Sequence, residues 1–204
     1  MPPERLGRWL DRWAAANGSA IRTDVGADVV RFESELATLV AEPPFPPIAE
    51  TGEHAGFVPL PLLEHAALDR RVGVMLVRLG AHAAGVFDGR RLVASKTARR
   101  QVHARHRAGG SSQRRFERRR GEQARMSLDA AADVAARVLL PELADLDAVV
   151  FGGDRHAVDL LREDARLAPL FALAAPRFLG DVPEPRRAIL EAMPDRFRAT
   201  VLRV

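Results

Sequence analysis

Residues 72–95 read VGVMLVRLGAHAAGVFDGRRLVAS, and the architecture follows from how this stretch is parsed. Val72–Leu79 is a nearly continuous apolar run, the pattern of a strand buried on both faces. Ala81–Phe87 has the same character and forms a second strand. Asp88-Gly89 is a hairpin turn signal, and Arg90–Ser95 returns as a third strand. Beyond it, Lys96 to Ser112 shows no sustained apolar period and is expected to be a long loop. Structureless loops of that length in compact domains are usually functional or disordered.

From Gln113 the pattern turns helical. Ala124, Leu128, Ala131, Ala135 and Val138 recur with the rhythm of one buried face, while Arg114, Arg118 and Arg125 share another. Gly121 or Ser127 is a candidate kink or split point, and Pro141 ends the helix. Asp147–Phe151 is a buried-type strand. Gly152-Gly153-Asp154 then leads into a helix over Arg155–Glu163, with Asp154 as its N-cap. Pro169–Phe178 is ambiguous between types. A helix over Glu184–Ala192 and a strand over Phe197–Val204 close the chain. Three antiparallel-compatible strands followed by helix, strand, helix and strand predict an α/β domain with a mixed β-sheet flanked by helices, spanning 57–204.

Upstream, Glu4–Ala16 is an amphipathic helix with Leu6, Trp9, Leu10 and Trp13 on one face, ended by Asn17-Gly18. Short strand-like runs follow near Ala20–Thr23, Asp28–Glu33 and Ala37–Ala41, so 1–48 is expected to be a small helix-plus-β-meander module. The proline-rich segment from Glu42 to Pro47 breaks regular structure, and 43–56 is expected to be a linker. The tryptophans are assigned to the core, with an exposed platform for bases as the alternative.

Composition bounds the function. The chain of 204 residues is 47% hydrophobic and 28% charged, with no cysteine, which excludes disulfides and thiolate zinc sites. No apolar run approaches the roughly 20 residues that span a bilayer. The N-terminus is not a signal peptide, so the expectation is a soluble cytoplasmic protein, monomeric when free. The net charge of +4 conceals an asymmetry. Residues 96–125 hold 11 of the 31 Lys+Arg and 2 of the 27 Asp+Glu, a local +9 that leaves −5 for the rest. Such a segment attracts polyanions. The single lysine is Lys96; the dominance of arginine along the whole chain, with many alanines, follows from coding composition as readily as from function.

Within this segment Lys96, Arg99, Arg100, Arg105, Arg107, Arg114, Arg115 and Arg118 are candidate RNA contacts, able to neutralise phosphates without reading sequence. Gly109 and Gly110 permit close backbone approach. Gln113 follows at a helix start, where free N–H groups favour negative charge. A glutamine amide is a poor general base, but it can position a water or hydroxyl by accepting from it and donating to a neighbour. The bland alternative is a flexible Gly-Ser turn between a strand and a basic helix; binding without catalysis is another. His103 and His106 lack acidic or thiol companions and make a poor metal site. No metal or cofactor is expected. Gly152-Gly153-Asp154 lacks the Lys-Ser/Thr of a nucleotide-binding P-loop. Ser111 and Ser112 have no histidine-acid pair that would make them nucleophiles. Asp129, Asp133 and Arg137 look like a solvated helix face. No helix-turn-helix surrounds the basic stretch, which places DNA binding last.

The run SKTARRQVHARHRAGGSSQRRFERRRGEQARMSL, residues 95–128, resembles the release-factor domain of the Vms-like release factors, and specifically their actinobacterial branch. The resemblance covers roughly 57–204. It implies a fold similar to the ribonuclease H-like central domain of eukaryotic and archaeal peptide-chain release factors, with its Gly-Gly-Gln loop. It also implies a role in translation termination, ribosome rescue and quality control: freeing nascent chains from peptidyl-tRNA on stalled large ribosomal subunits, with peptidyl-tRNA and ribosomal RNA as partners. Gln113 would then be the catalytic glutamine, with Gly109 and Gly110 shaping the loop at 96–113. Two serines separate the glycines from Gln113 here, so the geometry of a Gly-Gly-Gln loop does not transfer. Whether the ester or a bond near the tRNA CCA end is broken stays open.

Overall fold

A computed structural model of the chain describes residues 1–18, 20–78, 80–99 and 112–204, with the backbone alone considered at 20–21 and 112–120. In chain order the elements are α1 (Pro3–Asn17), β1 (Ala20–Val25), β2 (Val30–Ser34), β3 (Thr38–Glu42), β4 (Gly52–Ala55), α2 (Leu60–Ala67), β5 (Arg71–Arg78), β6 (Ala81–Asp88) and β7 (Arg91–Arg99). They continue with α3 (Ser112–Leu139), a 3-10 turn (Leu140–Asp145), β8 (Ala148–Gly153), α4 (Arg155–Leu161), α5 (Ala168–Ala172), α6 (Arg187–Glu191), α7 (Pro194–Phe197) and β9 (Val201–Arg203). They form two compact units, Met1–Asp69 with Pro194–Val204, and Arg70–Met193.

The first unit is an antiparallel sheet in the order β4-β1-β2-β3-β9. Its strands alternate as half-buried strands must: Val30 and Phe32 on β2 and Leu39 and Ala41 on β3 point inward. The apolar stripe of α1 (Leu6, Leu10 and Trp13) and Leu62 and Ala66 of α2 complete this core. Trp13 and Phe32 pack with ring centroids 6.5 Å apart, and Trp9 is half-buried against the same cluster. The tryptophans are therefore core residues. The Met1 ammonium donates to the Thr200 carbonyl at 2.6 Å, and the Thr200 N–H donates back to Met1 at 2.9 Å.

Two sequence expectations differ here. Residues 43–56 are not a linker: the Ile48 N–H donates to the Ala27 carbonyl at 2.7 Å, and β4 pairs with β1. The final strand does not join the downstream sheet; β9 pairs with β3 through Ala41 and Leu202. The chain thus returns to the first unit at Pro194, and α2 belongs there too.

The second unit holds the mixed sheet, in the order β7-β6-β5-β8, with β8 parallel to β5 and the other pairs antiparallel. Every residue from Val72 to Val77 is buried, as the apolar run predicts, because helices cover both faces. On one face Met75, Val77, Ala84 and Val86 meet Ala131, Ala135 and Leu139 of α3. On the other, Leu190 of α6 sits where a Cβ on Gly85 would lie 2.9 Å away. The hairpin turn is Gly89-Arg90, with Gly89 at φ 58°, which the primed hairpin turns require. Asp154 caps α4 by accepting from the Ala157 N–H at 3.3 Å. The ambiguous stretch after Pro169 contains α5, whose Phe171 stacks on Phe151 with centroids 4.3 Å apart. No helix among the described residues is long and apolar enough to cross a membrane.

Candidate functional site

The third strand of the mixed sheet reaches further than its composition suggests. β7 runs on through Lys96, Thr97, Ala98 and Arg99, which pair with Ala84, Ala83, His82 and Ala81 of β6. As an edge strand it needs only backbone partners on one side, so polar side chains do not end it. Gly109, Gly110, Arg100, Arg105 and Arg107, with His103, His106 and Ser111, lie outside the described residues. So do the side chains of Gln113, Arg114, Arg115 and Arg118, whose backbone is the first turns of α3.

That helix is unbroken from Ser112 to Leu139, neither split nor ended at Gly121 or Ser127. Gln113 is its second residue, where the change of period predicts a helix start. Among the described side chains of α3 the first buried one is Ser127. Its hydroxyl accepts from the Gly80 N–H at 3.3 Å and ties the helix to the turn between β5 and β6. Residues 121–126 before it are exposed or half-buried, including Arg125 and Met126. At 1.5 Å rise per residue, Ser112 lies about 22 Å along the axis from Ser127. Gln113 therefore opens a long helical extension anchored near its middle.

The flanking charges divide into held and free. Lys96 on β7 and Arg125 on α3 are exposed, with no ion-pair partner among the described residues. Arg99 is instead paired with Glu184 at 3.1 Å, and Glu184 also meets Arg186 at 3.1 Å. Arg186 first, and Arg99 after it, hold the Glu184 carboxyl below the usual carboxylate range. Of the proposed solvated face on α3, Asp133 pairs with Arg166 at 2.8 Å, while Asp129 and Arg137 stay exposed. Among the described residues no group of three His, Asp or Glu side chains could hold a metal ion.

One residue near this segment carries no motif. His82 on β6, cross-strand from Ala98 of β7 and Val77 of β5, is 1% exposed, and neither ring nitrogen has a hydrogen-bond partner among the described residues. Burial pushes its pKa below the ordinary histidine value. The only hint in the sequence is a histidine inside the apolar run Ala81–Phe87.

An archaeal translation termination factor, aRF1, is similar in structure over 95% of this chain and 69% of that chain, at 14% identity and a TM-score of 0.48. A second solved structure, described as an archaeal protein, covers 97% of this chain and 72% of that one, at 12% identity and a TM-score of 0.45. Pelota from Archaeoglobus fulgidus matches over 92% of this chain and 58% of its own, at 14% identity and a TM-score of 0.34. No curated protein sequence matches the chain. The family model of the Actinobacteria/chloroflexi VLRF1 release factor matches residues 70–203, which include β7, the basic segment and all of α3. With well over half of its length matched, the chain belongs to the Actinobacteria/chloroflexi VLRF1 release factor family.

Proposed function

We propose that this release factor frees nascent chains from peptidyl-tRNA on stalled large ribosomal subunits, with Gln113 positioning the attacking water or hydroxyl. Family membership over 70–203 supports the release-factor role. The observation that carries the finer reading is the placement of Gln113 at the head of an anchored basic helix, directly after the glycine-containing basic segment.

The chemistry asks little of the protein. In ester hydrolysis a water oxygen attacks the carbonyl carbon, the bond to the tRNA ribose oxygen breaks, and the water proton passes to that leaving oxygen. A glutamine amide can hold the water by accepting from it without changing protonation state. Backbone N–H groups at the start of α3 point along the helix axis toward developing negative charge. Cleavage near the CCA end would use the same glutamine to hold a ribose 2′-hydroxyl against the adjacent phosphorus; its oxygen bonds to phosphorus, the P–O5′ bond breaks, and the hydroxyl proton passes to the leaving 5′ oxygen.

The test is single-turnover release from large subunits carrying peptidyl-tRNA, comparing the wild type with Gln113→Ala. A positioning group of this kind is worth about 10²–10³ in rate, so the variant should retain binding and lose release by about that factor. Equal release by the two proteins would remove Gln113 from the mechanism. The 3′ end of the freed tRNA distinguishes ester hydrolysis from CCA cleavage.

A further inference from the structure

The first unit carries an arginine stripe of its own. On α1, Arg5, Arg8 and Arg12 are exposed, while Leu6, Leu10 and Trp13 face the core. At about 100° per residue the three arginines fall within about 60° of one another. They line a shallow open concavity together with Asp11.

Among the described residues of the first unit, Arg5, Arg8 and Arg12 have no ion-pair partner. Elsewhere in the unit Arg22 pairs with Glu53, Arg31 with Asp24, Arg198 with Glu4 and Asp69, and Arg203 with Glu42. The acid on α1 that could have neutralised the stripe from its N-terminal end, Glu4, is thus taken up by Arg198. Acids are not in short supply: Asp28, Glu33, Glu35 and Glu64 are exposed on the same unit, with no ion pair among the described residues. The fold leaves three arginines without ion pairs on one stripe, with Asp11 the acid among them.

We propose that Arg5, Arg8 and Arg12 form a docking stripe for the phosphate backbone of RNA. The choice of RNA over other polyanions rests on the release-factor reading above. Seven residues of helix place Arg5 and Arg12 about 10 Å apart along the axis, the length over which a duplex strand presents about three phosphates. Arginine suits this task because its fork binds phosphate in bidentate fashion and is weakly hydrated. Asp11 tempers the field and limits the stripe to weak, sequence-independent binding that adds to the contacts of the basic segment.

The experiment measures binding of the full chain to a short RNA duplex across a salt series, with vesicles of phosphatidylglycerol and phosphatidylcholine as the competing polyanion. The triple variant R5Q/R8Q/R12Q should weaken RNA binding about tenfold or more at near-physiological salt. It should also lower the slope of log K against log salt by about two to three, since each phosphate contact contributes about 0.9. The triple lysine variant should keep most of both. Arg8→Glu alone should weaken binding more than Arg8→Gln, which provides the reading should the triple variant fold poorly. An unchanged affinity and slope would overturn the proposal, as would a loss seen on vesicles but not on RNA. Its failure is separable from that of the release reading. Stripe-independent binding with intact release overturns only the stripe; stripe-dependent binding without release overturns only the release reading.

Discussion

Replacing His82 with leucine removes two ring nitrogens that the fold buries without partners among the described residues. An unpaired buried polar group costs about 1–3 kcal/mol. A leucine of similar bulk satisfies the same apolar neighbours at a repacking cost of about 1 kcal/mol. The net expectation is that His82→Leu stabilises the protein by up to about 2 kcal/mol near neutral pH. The pH dependence sharpens this. Burial lowers the folded-state pKa of His82 below its ordinary 6.5, so the unfolded chain binds the proton first as pH falls. The stability associated with neutral His82 is therefore complete above about 6.5 and is lost below it. The slope approaches about 1.4 kcal/mol per pH unit until the folded-state pKa is reached. Leucine has no such slope, so the advantage of the variant should widen in acid. Urea unfolding of both proteins at about pH 7.5 and pH 5.5 reads the two quantities directly. A variant less stable than the wild type near neutrality, or an advantage that does not grow in acid, would overturn this account of His82.

Other perturbations follow from particular contacts. Gly153 sits at φ 99°, and a Cβ there would lie only 2.1 Å from the Val77 carbonyl oxygen, so Gly153→Ala should cost more than about 3 kcal/mol and lower the Tm sharply in calorimetry. Ser127→Ala leaves the Gly80 N–H without its acceptor; a loss of about 1–3 kcal/mol in urea unfolding, with faster amide exchange at Gly80, is expected. Glu184→Gln releases Arg99 from its ion pair and should tighten RNA binding a few-fold at low salt, with the gain disappearing as salt is raised.

The elements legible in the sequence are those with a local signature. The buried run of β5, the turn at Gly89 and the periodic face of α3 state their own structure, because each depends on residues a few positions apart. β4 escapes such a reading because Gly-Glu-His-Ala has no apolar face, and its pairing with β1 supplies what the side chains do not. The last four residues of β7 escape it for the same reason at a sheet edge. β9 is recognisable as a strand from Val201 and Leu202, but nothing nearby says which sheet it joins. At the site, the start of the helix at Gln113 is visible as a change of period. Ser127 and His82 are not, because a serine in a helix and a histidine in a strand acquire meaning only from what packs over them.

The division of α3 bears on how an overall acidic remainder and a strongly basic segment share one chain. The C-terminal half of the helix, from Ser127, buries Ala131, Ala135 and Leu139 and contributes to the core. The N-terminal half, with its arginines, carries Ser112 about 22 Å from that anchor along the axis. The charge outside residues 96–125 sums to −5, and a polyanion close to it would be repelled. At physiological ionic strength the Debye length is about 8 Å, so the start of the helix lies more than two screening lengths from Ser127. Attraction by the first turns of α3 is then screened from the carboxylates close to Ser127. The same geometry separates the energetics: the exposed Glu122 and Arg125 can change charge with little effect on packing, while residues from Ser127 onward contribute to the core. A continuous helix is what this arrangement needs, since a break at Gly121 would leave the position of Gln113 undefined relative to the sheet that holds its helix.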